Sequence, residues 1–214
     1  GIQRLFGYCR VIYRGDTSGS AERFGYKFNK RFIRKKCIAW RKKSGVLQNS
    51  KQILSAYGLN ESMVDAKYLS YTDAAKAMKN GNLDAFFCTA GTPTRAITEI
   101  SDDIKLIPID GTAADRLTEQ YNGYVKHTIK ANTYDGQTED IETLGVKMVL
   151  IASDKMSDDR VKSITKNIFG NSNKFGFAKD DTFDMNFATE NVTIPFHKGA
   201  SEYYAENGVN VATE

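Results

Sequence analysis

Residues 79–100, KNGNLDAFFCTAGTPTRAITEI, constrain the fold more than any other stretch of this 214-residue chain. Gly81 and Asn82 make a turn, and residues 83–88 form an apolar run of strand length. Thr89, Ala90, Gly91 and Thr92 then precede Pro93, which suits the first turn of a helix continuing through Ile97 and Ile100. A buried strand that feeds a helix through small residues must be flanked by other strands and covered by helices. Its loop leaves backbone N–H groups at the strand's carboxyl end, where open α/β sheets hold anions. Most such corners bind nothing, so the stretch fixes the fold class before it says anything about function.

Composition sets further bounds. The chain is long enough for one large domain or two small lobes, and 41% hydrophobic residues with a mean hydropathy of -0.46 suit a soluble globular protein. No run reaches the 18 or so apolar residues of a membrane span, and the start, GIQRLFGYCRVIYRG, carries no visible targeting signal. Cys9, Cys37 and Cys88 form no CxxC pair, which argues against a metal or disulfide framework. The net charge of +4 hides a discontinuity. Residues 1–43 carry 13 Lys and Arg against 2 Asp and Glu, whereas residues 44–214 carry 17 against 24. A basic arm on an acidic body ordinarily suggests nucleic-acid contact, yet this arm lacks clean strand or helix periodicity and any helix-turn-helix pattern.

From Ser44 onward strands and helices alternate. Ser44 is placed to cap a helix that ends at Gly58. The pattern then predicts a strand at 64–69, a helix capped by Thr72, a strand at 104–109 and a helix at 112–121. An extended segment at 125–131, a strand at 146–152, a helix from 158 ending at Gly170, and short helices at 183–190 and 198–207 follow. Such alternation argues a mostly parallel α/β sheet with crossovers. The acidic segment 133–143 is the best candidate for a connection between two lobes.

No reaction chemistry stands out. His127 and His197 are not spaced as metal ligands or as a base–nucleophile pair, and His197 reads as a helix start. Cys88 reads as a small core residue. Asp102-Asp103, Asp158-Asp159 and Asp180-Asp181 fall at turns or helix N-termini, where each complements the helix dipole by only ~0.3–1 kcal/mol. No GxSxG, Walker loop or GxGxxG is present. The chain is expected to bind rather than catalyse, without cofactor or metal.

Four segments together carry a family resemblance: SGVLQNSKQILSAYG, YLSYTDAAKAMKNGNLDAFFCTAGTPTRAI, IKANTYDGQTEDIETLGVKMVLIAS and TIPFHKGASEYYAENG. In that order and spacing, over residues 44–208, they resemble the solute-binding subunits of TRAP transporters of the TAXI type. The resemblance implies a two-lobed fold of the periplasmic-binding-protein type II kind, with ligand held in the cleft between lobes. It implies a monomeric periplasmic or extracellular protein that delivers a small organic acid, such as glutamate or a dicarboxylate, to a membrane permease, with no nucleic-acid partner. By the same resemblance Ser44 and Gly45 match a Ser-Gly loop that holds a carboxylate at a helix start. Thr89, Ala90, Gly91 and Thr92 match the loop before the family's proline. Tyr134 matches the tyrosine of a GTYPGQ-like segment, although Asn132 and Asp135 replace its Gly and Pro; it either touches ligand or braces the hinge. Residues 44–125 then correspond to lobe two, 126–143 to the interlobe connection and 144–214 to the C-terminal part of lobe one, the whole truncated at its amino end. The alternative is the effector-binding domain of a transcriptional regulator with a basic DNA-contacting arm.

Residues 1–43 do not resemble the family in this frame. Codons read one base later permit IAGLY over 8–13, LQVV over 17–21 and GKNVSLG over 34–41, which is the family's strand order. A frame error just before Ser44 accounts for the basic arm, its missing periodicity and the short amino end together. It predicts that the arm supplies no strand to the sheet and that binding is impaired.

Overall fold

The computed structural model describes residues 4–13, 37–38, 44–171, 184–190 and 192–213. They fall into two compact units, one of Gly7–Val146 and one of Gly1–Phe6 with Lys147–Glu214.

The Gly7–Val146 unit is built on a mixed sheet. Its strands are β1 (Arg4–Tyr13), β2 (Cys37–Ile38), β3 (Ala85–Ala90), β4 (Lys105–Ile107), β5 (Tyr124–Ile129) and β6 (Ile141–Val149), in the order β2-β3-β1-β6-β5 with β4 also on β1. Helices α1 (Gly45–Ala56), α2 (Tyr71–Lys79), α3 (Arg95–Thr98) and α4 (Gly111–Gln120) connect them. β2 runs parallel to β3, with Cys37 opposite Ala85 and Ile38 opposite Phe86. β1 runs antiparallel to both β3 and β4, with Ile12 opposite Phe86 on one side and Leu106 on the other.

β3 explains why residues 83–88 read as continuously apolar. Ala85 and Phe87 join one core with Ile53 and Leu54 of α1 and Ala114 and Leu117 of α4. Phe86 and Cys88 join the other with Ala74, Ala75 and Met78 of α2 and Ile97 of α3. Successive side chains of a strand point to opposite faces, so a strand covered on both faces shows no polar alternation. Phe86, Met78, Leu83 and Ile97 are each below 2% exposed, and burying side chains of this size contributes about 1.5–3 kcal/mol apiece.

Several expectations give way. β1 and β2 come from the first 43 residues, so that segment does supply strands; RLFGYCRVIY is rich in the aromatic and β-branched residues that pleated strands favour. The sheet is not mostly parallel, because β1 lies antiparallel between β3 and β4, and β5 pairs antiparallel with β6. No strand forms over 64–69; a single 3₁₀ turn, Glu61–Met63, precedes that segment, and Asp65 and Lys67 pair in solvent at 3.0 Å. Ser70 rather than Thr72 caps α2, its Oγ accepting from the Asp73 N–H at 3.0 Å. β6 begins at Ile141, and Ile129 pairs with Ile141. Residues 126–143 therefore form an antiparallel hairpin inside one unit, whose limit lies after Val146. The rest of the first 43 residues lie outside the described residues.

The Lys147–Glu214 portion of the other unit packs α5 (Asp158–Gly170), α6 (Met185–Thr189) and α7 (Lys198–Glu206) around Val161, Ala188, Phe196, Ala200 and Tyr204. The Phe169 ring stacks on Tyr203 and meets Tyr204 edge-on, both at 5.8 Å between centroids. Burial raises the Tyr204 hydroxyl above its ordinary range. The Lys147 side chain, only 6% exposed, lies 4.9 Å from the Phe187 ring centroid and 3.5 Å from Glu190. α7 starts almost on top of α5, because a Cβ on Gly199 would lie 2.8 and 2.9 Å from the Asp158 carbonyl carbon and Cα and closer still to its oxygen.

Candidate functional site

β2 and β3 are neighbouring parallel strands, so the segments that leave them toward α1 and α3 emerge at the same, carboxyl end of the sheet. Ligands of open α/β sheets collect there. At α1, Ser44 has extended backbone angles and caps the helix, its Oγ accepting from the Leu47 N–H at 3.2 Å. The Ser44 carbonyl accepts from the Gln48 N–H at 3.2 Å. The first-turn amides of Gly45 and Val46 have no intrahelical partner by construction, and no acceptor is recorded for them among the described residues. Gly45 is exposed, and a Cβ there would meet nothing within 4 Å. Among the described residues nothing obstructs the positive end of this twelve-residue helix.

The β3 side is more heavily committed. The Tyr71 hydroxyl accepts from the Thr89 N–H and donates to the Thr89 carbonyl, both at 3.0 Å. The Tyr134 hydroxyl accepts from the Thr94 N–H at 2.9 Å, and the Thr94 Oγ1 donates to the Gly91 carbonyl. Ala90 lies in β3 opposite Tyr8. Thr92 precedes a cis bond to Pro93, and no hydrogen bond is recorded for it among the described residues. Thr94 caps α3, which is a single turn, Arg95–Thr98. The expected helix through Ile100 is absent, so the loop has little dipole of its own and the anion-holding capacity lies mainly at α1.

One side-chain bridge joins α1 to the end of β3. Asn49 Nδ2 donates to Thr89 Oγ1 at 3.2 Å, while the buried Tyr124 hydroxyl lies 3.1 Å from Asn49 Oδ1 and 2.6 Å from Gln52 Oε1. Ser44 and Gly45 stand at the start of the helix that carries Asn49, and Thr89 to Thr92 stand on the strand end that Asn49 reaches. Tyr134, 5% exposed, sits beneath the loop and braces it through Thr94. Asn49, Tyr71 and Tyr124 escaped the sequence reading. Asn49 is five residues beyond Ser44 on a helix already recognised, but nothing local to Tyr71 or Tyr124 indicates partners so far along the chain.

Electrostatics separate this site from the cavity beside it. Tyr134 also lines a cavity of about 410 Å³ bordered by Asp110, Asp135, Glu139, Asp140 and Glu142 against Lys105. That carboxylate excess repels an anion. Nearby, burial raises the Tyr57 hydroxyl to about 12, against the opposing pull of the Asp110 N–H it accepts. His197 is structural: Nδ1 accepts from the Gly199 N–H at 3.2 Å, which leaves Nε2 to donate to the Met156 carbonyl at 3.1 Å. Among the described residues no cluster of three His, Cys, Asp or Glu side chains is arranged to hold a metal ion, and no helix is long and apolar enough to cross a membrane.

A mixed α/β unit with an open helix start beside a braced strand-end loop defines a ligand-holding domain. The chain belongs to the NMT1-like family, which it matches over residues 34–208, and which groups substrate-binding proteins of the periplasmic type. The match begins ten residues ahead of Ser44, so residues 34–43 match the family in the frame as given, against the expectation of a frame error just before Ser44. Among solved structures, the chain is similar to the periplasmic aliphatic sulphonate binding protein SsuA from Escherichia coli, at 15% identity and a TM-score of 0.35. That alignment covers 68% of this chain and 41% of SsuA, and a likeness of this size carries no argument.

Proposed function

We propose that this chain is the extracytoplasmic solute-binding component of a TRAP-type transporter, taking up a small organic acid of the glutamate or dicarboxylate kind and handing it to a membrane permease. The observation that carries the reading is the start of α1 beside the carboxyl end of β3, tied through Asn49 and Thr89, with no acceptor for the Gly45 and Val46 amides among the described residues. Membership of the NMT1-like family supports it. A ligand carboxylate accepts from those two amides and from the Ser44 hydroxyl, while Thr89, Ala90, Gly91 and Thr92 form the facing wall and Tyr134 fixes that wall's shape. Charge-assisted bonds to backbone N–H groups are the strong ones in such a site.

Isothermal titration with L-glutamate, succinate, a monocarboxylate and an alkyl sulphonate tests the reading. Micromolar binding of a carboxylate supports it, and silence toward every carboxylate overturns it.

A further inference from the structure

Two tyrosine hydroxyls outside the first turn of α1 control how the β3 loop meets a ligand. Tyr71, the first residue of α2, spends its phenol on both polar backbone groups of Thr89. Tyr134, in the β5–β6 hairpin, spends its phenol on the Thr94 N–H. The two contacts bracket residues 90–93 from opposite ends. Between them lie Gly91, whose Cβ position is empty within 4 Å, and Pro93, which has no N–H to anchor. The phenols hold the loop at both of its ends, and every restraint lacking in the free protein must be imposed by the ligand when it binds.

We infer that Tyr71 and Tyr134 are positioning residues that pre-set the ligand loop, an inference that rests on the binding role proposed for that loop. Each acts through the backbone it holds, and neither is placed to touch the ligand. They also determine which donors remain. The Thr89 and Thr94 amides are consumed by the phenols and are not offered to a ligand. The inference links three elements distant in sequence, because α2 and the β5–β6 hairpin both report to the strand end that Asn49 of α1 contacts.

The test uses the whole chain with L-glutamate and succinate as probes, the tighter of the two being carried forward. Tyr71→Phe and Tyr134→Phe keep the ring and remove the hydroxyl. Loss of one such bond is expected to weaken binding by about 5- to 10-fold, mostly through faster dissociation. The melting midpoint of the unliganded protein should change little for Tyr71→Phe. Amide exchange should quicken at Thr89 in Tyr71→Phe and at Thr94 in Tyr134→Phe while Phe86 stays protected, a localised signature that general destabilisation does not produce. Tyr57→Phe, which removes a phenol bonded to Asp110 away from the loop, should leave affinity unchanged. Wild-type binding with equal affinity in both variants overturns the inference alone. Absence of wild-type binding to either probe overturns the functional reading and the inference with it.

Discussion

Two helix starts in this chain share a sequence signal and have opposite fates. α1 begins with Ser44-Gly45 and α7 with His197-Lys198-Gly199, in each case a capping side chain followed closely by glycine. At α7 the chain fills its own helix end. The His197 ring takes the Gly199 amide, and the Asp158 backbone occupies the space where a side chain would stand. At α1 the cap reaches Leu47, the glycine is exposed, and a Cβ there would meet nothing within 4 Å among the described residues. A glycine pressed against backbone serves packing, whereas one facing open space leaves room for a ligand to approach the main chain. Tertiary neighbours draw this distinction; the residues themselves do not.

The largest expected effect breaks the closed side. Gly199→Ala forces α7 away from the Asp158 backbone and should cost about 3 kcal/mol, at the upper end of ordinary overpacking, read as a lower urea midpoint for the Lys147–Glu214 portion. An unchanged midpoint would mean that the two helix starts are not close-packed. Next comes the bridge on the open side. Asn49→Ala removes the donor to Thr89 and one partner of the buried Tyr124 hydroxyl, a loss of about 1–2 kcal/mol, measurable by denaturation and accompanied by weaker ligand binding.

Gly45→Ala sharpens the contrast most directly. No atom obstructs the new methyl group, and replacing glycine in a helix should stabilise by roughly 0.4–1 kcal/mol. Ligand affinity should fall nonetheless, because the methyl group intrudes on the approach to the first-turn amides. Stability and affinity moving in opposite directions, by melting and by titration, is the diagnostic result. The smallest effect concerns the hairpin that carries Tyr134. The Asp140 carboxyl is held below its ordinary value of 3.8, first by the Ala131 N–H and then by Lys130. Its contribution is therefore complete above that pH and is lost as pH falls through the lower folded value. An NMR titration should show the Ala131 amide shifting only in that acidic range, and Asp140→Asn should abolish the shift.

How much of this was legible depended on how local the cause was. α1 and α5 could be read because caps, apolar spacing and terminating residues lie within a dozen positions. β3 could be read because burial on both faces leaves an unbroken apolar run. β6 was read five residues short because the acidic tract 133–143 masks the pairing of Ile141 to Leu144 with β5. The 64–69 stretch has strand-like residues, yet the described structure forms no strand there, and Val64 and Leu69 pack against different cores. Of the candidate site, Ser44 and Gly45 follow from capping rules. The commitments of Thr89 and Thr94 do not, since their partners stand 18 and 40 residues away.

Cys88 gives the candidate loop a built-in reporter. Its thiol is unbridged, fully buried, and one residue before Thr89. A thiol reagent can alkylate it only while β3 is transiently open, so its labelling rate, read by mass spectrometry on the peptide that carries Cys88, is a clock on local opening. A ligand that grips the strand end slows the clock without adding an absorbing or fluorescent group, and candidate solutes can be ranked by that delay before any affinity is known.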